Sequence, residues 1–316
     1  MADTTKPLLD EGPAWGGGLN VTPVSPEGGE IQIVASGWQL ALREFLDNRL
    51  AVVGLLVILF FVLFCFVGPL VYHTNQTLTN PLITDLSPGS AGHPLGTDDN
   101  GFDELGRIMA GGQTALEIGF FASFVATVVG TLYGAISGLV GGFLDAILMR
   151  ILDVFLSIPL LFMVLVLATK YHATVLDESM IIGAYTWLVP ARLVRGEVLT
   201  LKTRDFVSAA TVMGSGRTRL MYRHLIPNAL SVVIVNITFQ IADAILILAF
   251  LGFLGFGLQY PAASWGDMLG NAQQYVSSGY WWLVYPVGGC LVAVVLASNL
   301  VGDALRDALD VRLRRR

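Results

Sequence analysis

Residues Leu50 to Tyr72 read LAVVGLLVILFFVLFCFVGPLVY, 23 consecutive residues without a formal charge, bounded by Arg49 and His73. As a helix rising 1.5 Å per residue this run is about 34 Å long, enough to cross a bilayer core of roughly 30 Å. Working outward, Ile118 to Leu144 gives 27 uncharged residues, and a 16-residue apolar run follows Asp153. Ser179 to Ala191 gives 13 uncharged residues, and Asp243 is the only charge between His224 and Gly266. The reading is an all-α membrane protein with six spans at about 50–72, 115–144, 146–169, 178–201, 228–256 and 283–301. Composition agrees: of 316 residues, 54% are hydrophobic and 13% charged, whereas soluble domains carry about 25% charge. That excludes a soluble globular enzyme.

Residues 1–38 hold four prolines, seven glycines and five acids against the single base Lys6, a composition expected to stay disordered. They lack the basic region and adjoining apolar core of a cleaved signal, so the first span is expected to remain as an anchor. Residues 39–316 then form the membrane domain. Six spans put both termini on one side. If that side is cytoplasmic it holds sixteen of the eighteen bases, leaving only Arg107 and Lys170 outside. Since basic residues flanking spans are retained in the cytoplasm, this predicts inward termini, external loops at 73–113 and 258–282, and a cytoplasmic loop at 202–227.

That cytoplasmic loop, Lys202 to Pro227, reads KTRDFVSAATVMGSGRTRLMYRHLIP. Phe206, Ala209, Ala210 and Met213 fall at helical spacing, and Gly214 to Gly216 supply a stop and a turn. A second helical stretch carries Leu220, Met221, His224 and Leu225. Two short helices ending at Pro227, where the chain re-enters the membrane, suit a knob that docks in another protein's groove. Arg217, Arg219 and Arg223 would equally suit a helix lying on anionic lipid.

Ser208, Ala209, Ala210, Gly214 and the pair Ile226-Pro227 match the spacing of the EAA loop, and here the chain resembles the permease subunits of ABC importers. HPLGTD at 93–98, MRILDVFLSIP at 149–159, ARLVRGEVL at 191–199, SWGDML at 264–269 and NLVGDALRDALDVRLR at 299–314 resemble the dipeptide, oligopeptide and nickel branch. Together they cover most of residues 40–314 in order. The chain departs from that pattern at Ser208, where the family has Glu, at Phe102 and Gln113, where it has Arg, and at Leu248, where it commonly has an acid. The resemblance implies the type I importer permease fold, with coupling helices between spans 4 and 5. It also implies alternating access beside a second homologous permease, on two ATPase subunits or one fused pair, with an extracytoplasmic binding protein delivering di- or oligopeptides, or else nickel complexes or oligosaccharides. On that reading Ser208, Ala209, Ala210, Gly214, Arg217, Arg223, Ile226 and Pro227 couple to the ATPase. The acids Asp98, Asp99 and Asp103, with Trp265, meet the binding protein. The location implied is a bacterial or archaeal cytoplasmic membrane, in contact with lipid and without a nucleic-acid partner.

Asp243 falls near mid-span, where an exposed charge costs roughly 3 kcal/mol or more. It either lines a translocation path with Asn236 and Gln240 of the same span or is a buried hydrogen-bonded acid. Gly130, Gly134, Gly138 and Gly142 recur every four residues, a strip that lets another helix approach closely and is expected to serve packing. Arg150 and Asp153, three apart, are expected to pair. No phosphate-cradling Gly-rich loop with its lysine occurs, so the chain is not expected to be an enzyme, and ATP and Mg belong to partner subunits. The four histidines and the lone Cys65 and Cys290 offer no metal spacing. An ion-coupled carrier using Asp243 would need its own repeat symmetry, which is not visible. An intramembrane enzyme would need a nucleophile or metal constellation.

Overall fold

The computed structural model describes residues 37–90, 92–170 and 174–314, with side chains from 41 to 309 within those ranges. The expected tail at 1–38 lies outside them except for its last two residues, which open a helix. Among the described residues there is no strand, only two isolated bridges, Ser90 with His93 and Thr97 with Asp103.

Helix α1, Gly37–Asp47, buries Ala41 and Phe45. Asn48 caps α2, Arg49–Phe66, accepting from Leu50 N at 3.0 Å. One turn, α3, Gly68–Val71, follows. After a long irregular segment comes α4, Glu104–Val140, capped by Asp103. It begins earlier than the expected span at 115 because the Asp103 carboxylate takes the Gly106 N–H at 2.7 Å. It ends earlier than 144 because Gly141, at φ 67, turns the chain as only glycine readily does.

The third expected span is two helices, α5, Gly142–Ser157, and α6, Leu160–Ala168, bent by 79° at Pro159. The fourth is also two, α7, Val175–Thr186, and α8, Leu188–Lys202, meeting at Trp187. Then come α9, Asp205–Val212, α10, Arg217–Leu220, a π-helical turn Met221–Leu225, and α11, Ile226–Phe253. The chain does not break at Pro227 as expected. The π turn absorbs the proline, Ile226 N–H reaching back to Met221 O, and one helical rod runs from Arg217 to Phe253. Helix α12, Trp265–Ala272, lies in the last long loop, and α13, Tyr285–Arg314, extends well past the expected end at 301.

Four helical stretches are long and apolar enough to cross a membrane: Arg49–Val71, Glu104–Val140, Arg217–Phe253 and Trp281–Leu309. The bent α5–α6 pair makes a fifth. The α7–α8 pair, with Glu178, Arg192, Arg195 and Glu197, does not reach that measure on its own. Its two arginines are met by α5: Arg195 grips Asp145 through two bonds of 2.6 Å, and Arg192 meets Asp153 at 2.6 Å, whereas Glu178 is buried with neither side-chain oxygen partnered. Asp153 therefore pairs across helices, not with Arg150, which is in no ion pair among the described residues.

Helix α4 is the centre, packed on α7, α8, α11 and α2. A Cβ on Gly130 would stand 2.7 Å from Trp187 O, one on Gly134 would strike Ala191 O, and one on Gly138 would stand 2.9 Å from Val198 Cγ1. Gly142 leaves the strip: it lies beyond the Gly141 turn, where an added Cβ meets nothing within 4 Å.

Three prolines recur in one pattern. Each removes the N–H that would serve the carbonyl four residues earlier, and a side chain from a neighbouring helix donates at the break. For Pro69 the freed carbonyl is Cys65 O, taken by Gln113 Nε2 at 2.8 Å. At Pro159 the Phe155 O is taken by Ile158 N at 3.2 Å, and Tyr185 Oη donates to Ile158 O at 2.5 Å with Phe155 O at 3.1 Å. For Pro190 the freed carbonyl is Thr186 O, taken by Gln240 Nε2 at 2.8 Å.

Candidate functional site

In the 202–227 segment the expected apolar stripe divides. Val207 and Ala210 turn inward and join Leu220, Met221, Leu225, Val194 and Val198 in one buried cluster. Phe206, Ala209 and Met213 turn outward, so the stripe predicted from spacing is not the buried face. Val212 is 89% exposed and Met213 80%, beside exposed Phe206 and Tyr222. Ser208, Gly214, Arg217, Arg223 and Pro227 are exposed, Ile226 is half-buried and Ala210 is buried. Gly214 follows α9 at φ 83, and its Ser215 neighbour donates to Ala210 O at 3.0 Å, closing the helix end. The Lys202 ammonium donates to Gly138 O and Leu139 O at 3.0 Å, tying this segment to the last carbonyls of α4. The result is a firmly held protrusion with an apolar crown and a basic flank.

Asn236, Gln240 and Asp243 line one cavity of about 390 Å³, between α11 and the proline-broken pairs α5–α6 and α7–α8. Asp243 is exposed in it, not buried and hydrogen-bonded, and no Lys or Arg lines that cavity. Gln240 is 6% exposed, its Nε2 committed to Thr186 O. A second cavity of about 310 Å³ adjoins it, sharing Asn236 and Phe239 and bordered by Ser231 and Arg306. Sequence reasoning missed Tyr185, Phe239 and Arg306 in these walls. The prolines at 159 and 190 were the available signal, because a broken helix needs a side-chain donor nearby.

The 73–113 and 258–282 segments are stitched to each other. Trp265 is 1% exposed, its Nε1 donating to Ile108 O at 3.0 Å while its ring packs on Phe61. It therefore presents no docking surface. Asp103 is 3% exposed: besides capping α4 it accepts from Tyr72 Oη at 2.8 Å and contacts His93 Nδ1 at 2.7 Å. It too is structural. Asp98 holds a turn through Asn100 N at 3.0 Å and Phe102 N at 2.8 Å, and Tyr275 Oη donates to Asp99 at 3.2 Å. Asp98, Asp99, Glu104, Arg107 and Asp267 converge on a small polar pocket. Burial, with Asp98 alongside, pushes the Glu104 carboxyl well above its ordinary range, and burial likewise raises Asp98 and Asp267. Burial pulls Arg107 down against the pull of these acids; its Nη1 donates to Pro261 O at 3.1 Å.

Among the described residues no group of three or more His, Cys, Asp or Glu side chains could hold a metal ion. The described residues offer a cavity wall along α11 and an exposed protrusion at 205–226.

Residues 130–315 match the family described as binding-protein-dependent transport system inner membrane component, and residues 36–88 match the N-terminal TM domain of oligopeptide transport permease C. The chain is 41% identical over 278 residues to the oligopeptide transport system permease protein OppC of Salmonella typhimurium, spanning 88% of this chain and 92% of that protein. It is 35% identical over 292 residues to the dipeptide transport system permease protein DppC of Alkalihalophilus pseudofirmus, spanning 92% and 95%. Against OppC of Bacillus subtilis the identity is 35% over 300 residues, 93% and 97% of the two chains. With its helices, its protrusion and these matches along nearly the whole chain, the protein belongs to the family of binding-protein-dependent transport system inner membrane components.

Proposed function

We propose that this chain is one of two permease subunits of an ATP-driven importer of di- or oligopeptides, in a bacterial or archaeal cytoplasmic membrane with both termini inside. The relatives' names supply the substrate class. Six crossings follow if α7–α8 counts as the fourth span, its Arg192 and Arg195 paired with α5 and its Glu178 buried in protein away from lipid. Residues 39–316 then form the permease domain, 202–227 the coupling loop, and 73–113 and 258–282 the external loops. ATP and Mg are held by two partner ATPase subunits or one fused pair. A binding protein delivers the peptide from outside, where Asp99 retains part of its surface.

The observation that carries this reading is the protrusion at 205–226. Val212 and Met213 stand in water on a short helix whose other face, Val207 and Ala210, is anchored in the bundle. Exposed apolar groups on a rigid mount mark a protein contact. A groove on each ATPase subunit would receive Ser208, Ala209, Gly214, Arg217 and Arg223, with Ile226 and Pro227 at the base. Closure of the ATPase pair would push this knob and, through the unbroken rod Arg217–Phe253, move α11 and its path residues Asn236, Gln240 and Asp243.

The test is reconstitution of the chain with the second permease, the ATPase subunits and the binding protein in liposomes. ATP-dependent uptake of peptide by the four-component system is expected. Uptake driven by a proton gradient without ATP would overturn the reading.

A further inference from the structure

The two cavities along α11 divide their charge in an orderly way. Among the described residues, the larger carries Asp243 as its one charged lining residue and the smaller carries Arg306. Asn236 and Phe239 border both, so the cavities form one continuous wall. Neither charge has a protein partner among the described residues: Asp243 and Arg306 are in no ion pair, and Asp303 and Asp307, beside Arg306 on α13, do not pair with it. Of the other polar groups of the wall, Asn236 Oδ1 and Gln240 Oε1 are buried without a partner. Gln240 Nε2 serves the Thr186 carbonyl freed by Pro190, and Tyr185 Oη donates to Ile158 O.

A lone carboxylate and a lone guanidinium at the two ends of a mostly apolar trough complement a ligand with one positive and one negative end. Arg306 borders the trough beside Ser231, Val232 and Val235. These lie eight to twelve residues before Asp243 on α11, or about 12–18 Å at 1.5 Å per residue. An extended peptide advances about 3.4 Å per residue, so about four or five residues span that distance. We infer that this wall holds a zwitterionic oligopeptide end to end during passage, its α-ammonium at Asp243 and its C-terminal carboxylate at Arg306. The inference rests on the importer reading above and adds a polarity to it: the peptide travels carboxylate first, toward the end where α11 begins and α13 ends.

The experiment uses the complete transporter in liposomes with binding protein loaded to saturation, so that delivery is equal for every probe. The probes are tetraalanine, its analogue lacking the α-amino group, and its C-terminal amide. A site that hydrogen-bonds a charged group rejects an analogue lacking it, and uptake of either analogue is expected to fall by about tenfold relative to tetraalanine. In Asp243→Asn the discrimination against the desamino analogue should shrink to about twofold while that against the amide persists, and Arg306→Gln should show the reverse. Equal uptake of all three probes by the unaltered transporter would overturn the inference, as would variants that change both ratios alike. Failure of the importer reading would look different, as no ATP-dependent uptake of tetraalanine at all.

Discussion

The two polar regions that flank the helices are built on opposite plans. The 73–113 and 258–282 segments turn their side chains on each other. Tyr260 Oη donates to Thr77 O at 2.6 Å, Thr114 Oγ1 to Ala263 O at 2.6 Å, and Trp265 and Asp103 vanish into the join. The 202–227 segment does the reverse: its hidden face is a plain apolar anchor, and its distinctive residues face water. The segments that hold the clustered acids are thus mainly scaffold, while the basic 202–227 segment is the displayed surface. Clustered acids in a sequence are a poor guide to which residues a partner can touch, because a buried polar network can be built from them.

The largest expected effect probes the displayed side. Val212→Asp with Met213→Asp should reduce ATP-dependent uptake to background while leaving the melting temperature of the purified chain unchanged, since both side chains are already solvated. Uptake within twofold of normal would place the ATPase contact elsewhere. Gly214→Val comes next. A left-handed backbone costs a non-glycine residue about 1–2 kcal/mol; nothing lies within 4 Å of its Cβ, so the change strains the helix end without a clash. Membrane levels should hold and uptake fall about tenfold, as read by radiolabelled peptide accumulation.

On the scaffold side, Asp103→Ala removes the α4 cap and the partner of Tyr72 and His93. It should cost about 2–4 kcal/mol of stability, whereas Asp99→Asn should cost under about 1 kcal/mol. Neutralising Asp98, Asp99 and Asp103 together should weaken binding-protein affinity, and unchanged affinity would remove these acids from docking. If the Asp99→Asn variant alone accounts for the loss, the contact is direct; if only variants at Asp103 do, it acts through the fold.

The smallest effect concerns Glu104, which is 2% exposed with Oε1 unpartnered. Burial raises its folded-state pKa above the unfolded value. The stability it contributes is therefore fully present below the ordinary glutamate range and is lost as pH rises toward the raised value. Glu104→Gln should raise the melting temperature at neutral pH, with the gain fading as pH falls below the ordinary carboxylate range. A gain equal at both pH values would mean the carboxyl is not held neutral.

Much of the architecture was legible in the residues. The uncharged runs marked the long apolar helices, and Gly214 marked the end of α9. What failed did so for definable reasons. The stripe Phe206, Ala209, Ala210 and Met213 obeys helical spacing, but so does Val207 with Ala210, and only the bundle decides which face has a neighbour. The breaks at Pro159 and Pro190 were open to prediction from the missing N–H, but the donors that answer them, Tyr185 and Gln240, come from other helices. Gly142 continued the four-residue rhythm in sequence but not in space, because Gly141 ends the helix first. Arg306 was counted only as an inward base, since nothing local to α13 announces the cavity it borders.

The most direct test of the central claim is recovery of the chain from its native membrane in parallel with the Val212→Asp, Met213→Asp variant, scoring bound ATPase subunits and peptide-stimulated ATP hydrolysis. The account predicts that the unaltered chain brings ATPase subunits and stimulated hydrolysis with it, while the variant retains the second permease but loses both. Equal recovery of ATPase subunits and activity with the two chains would contradict it.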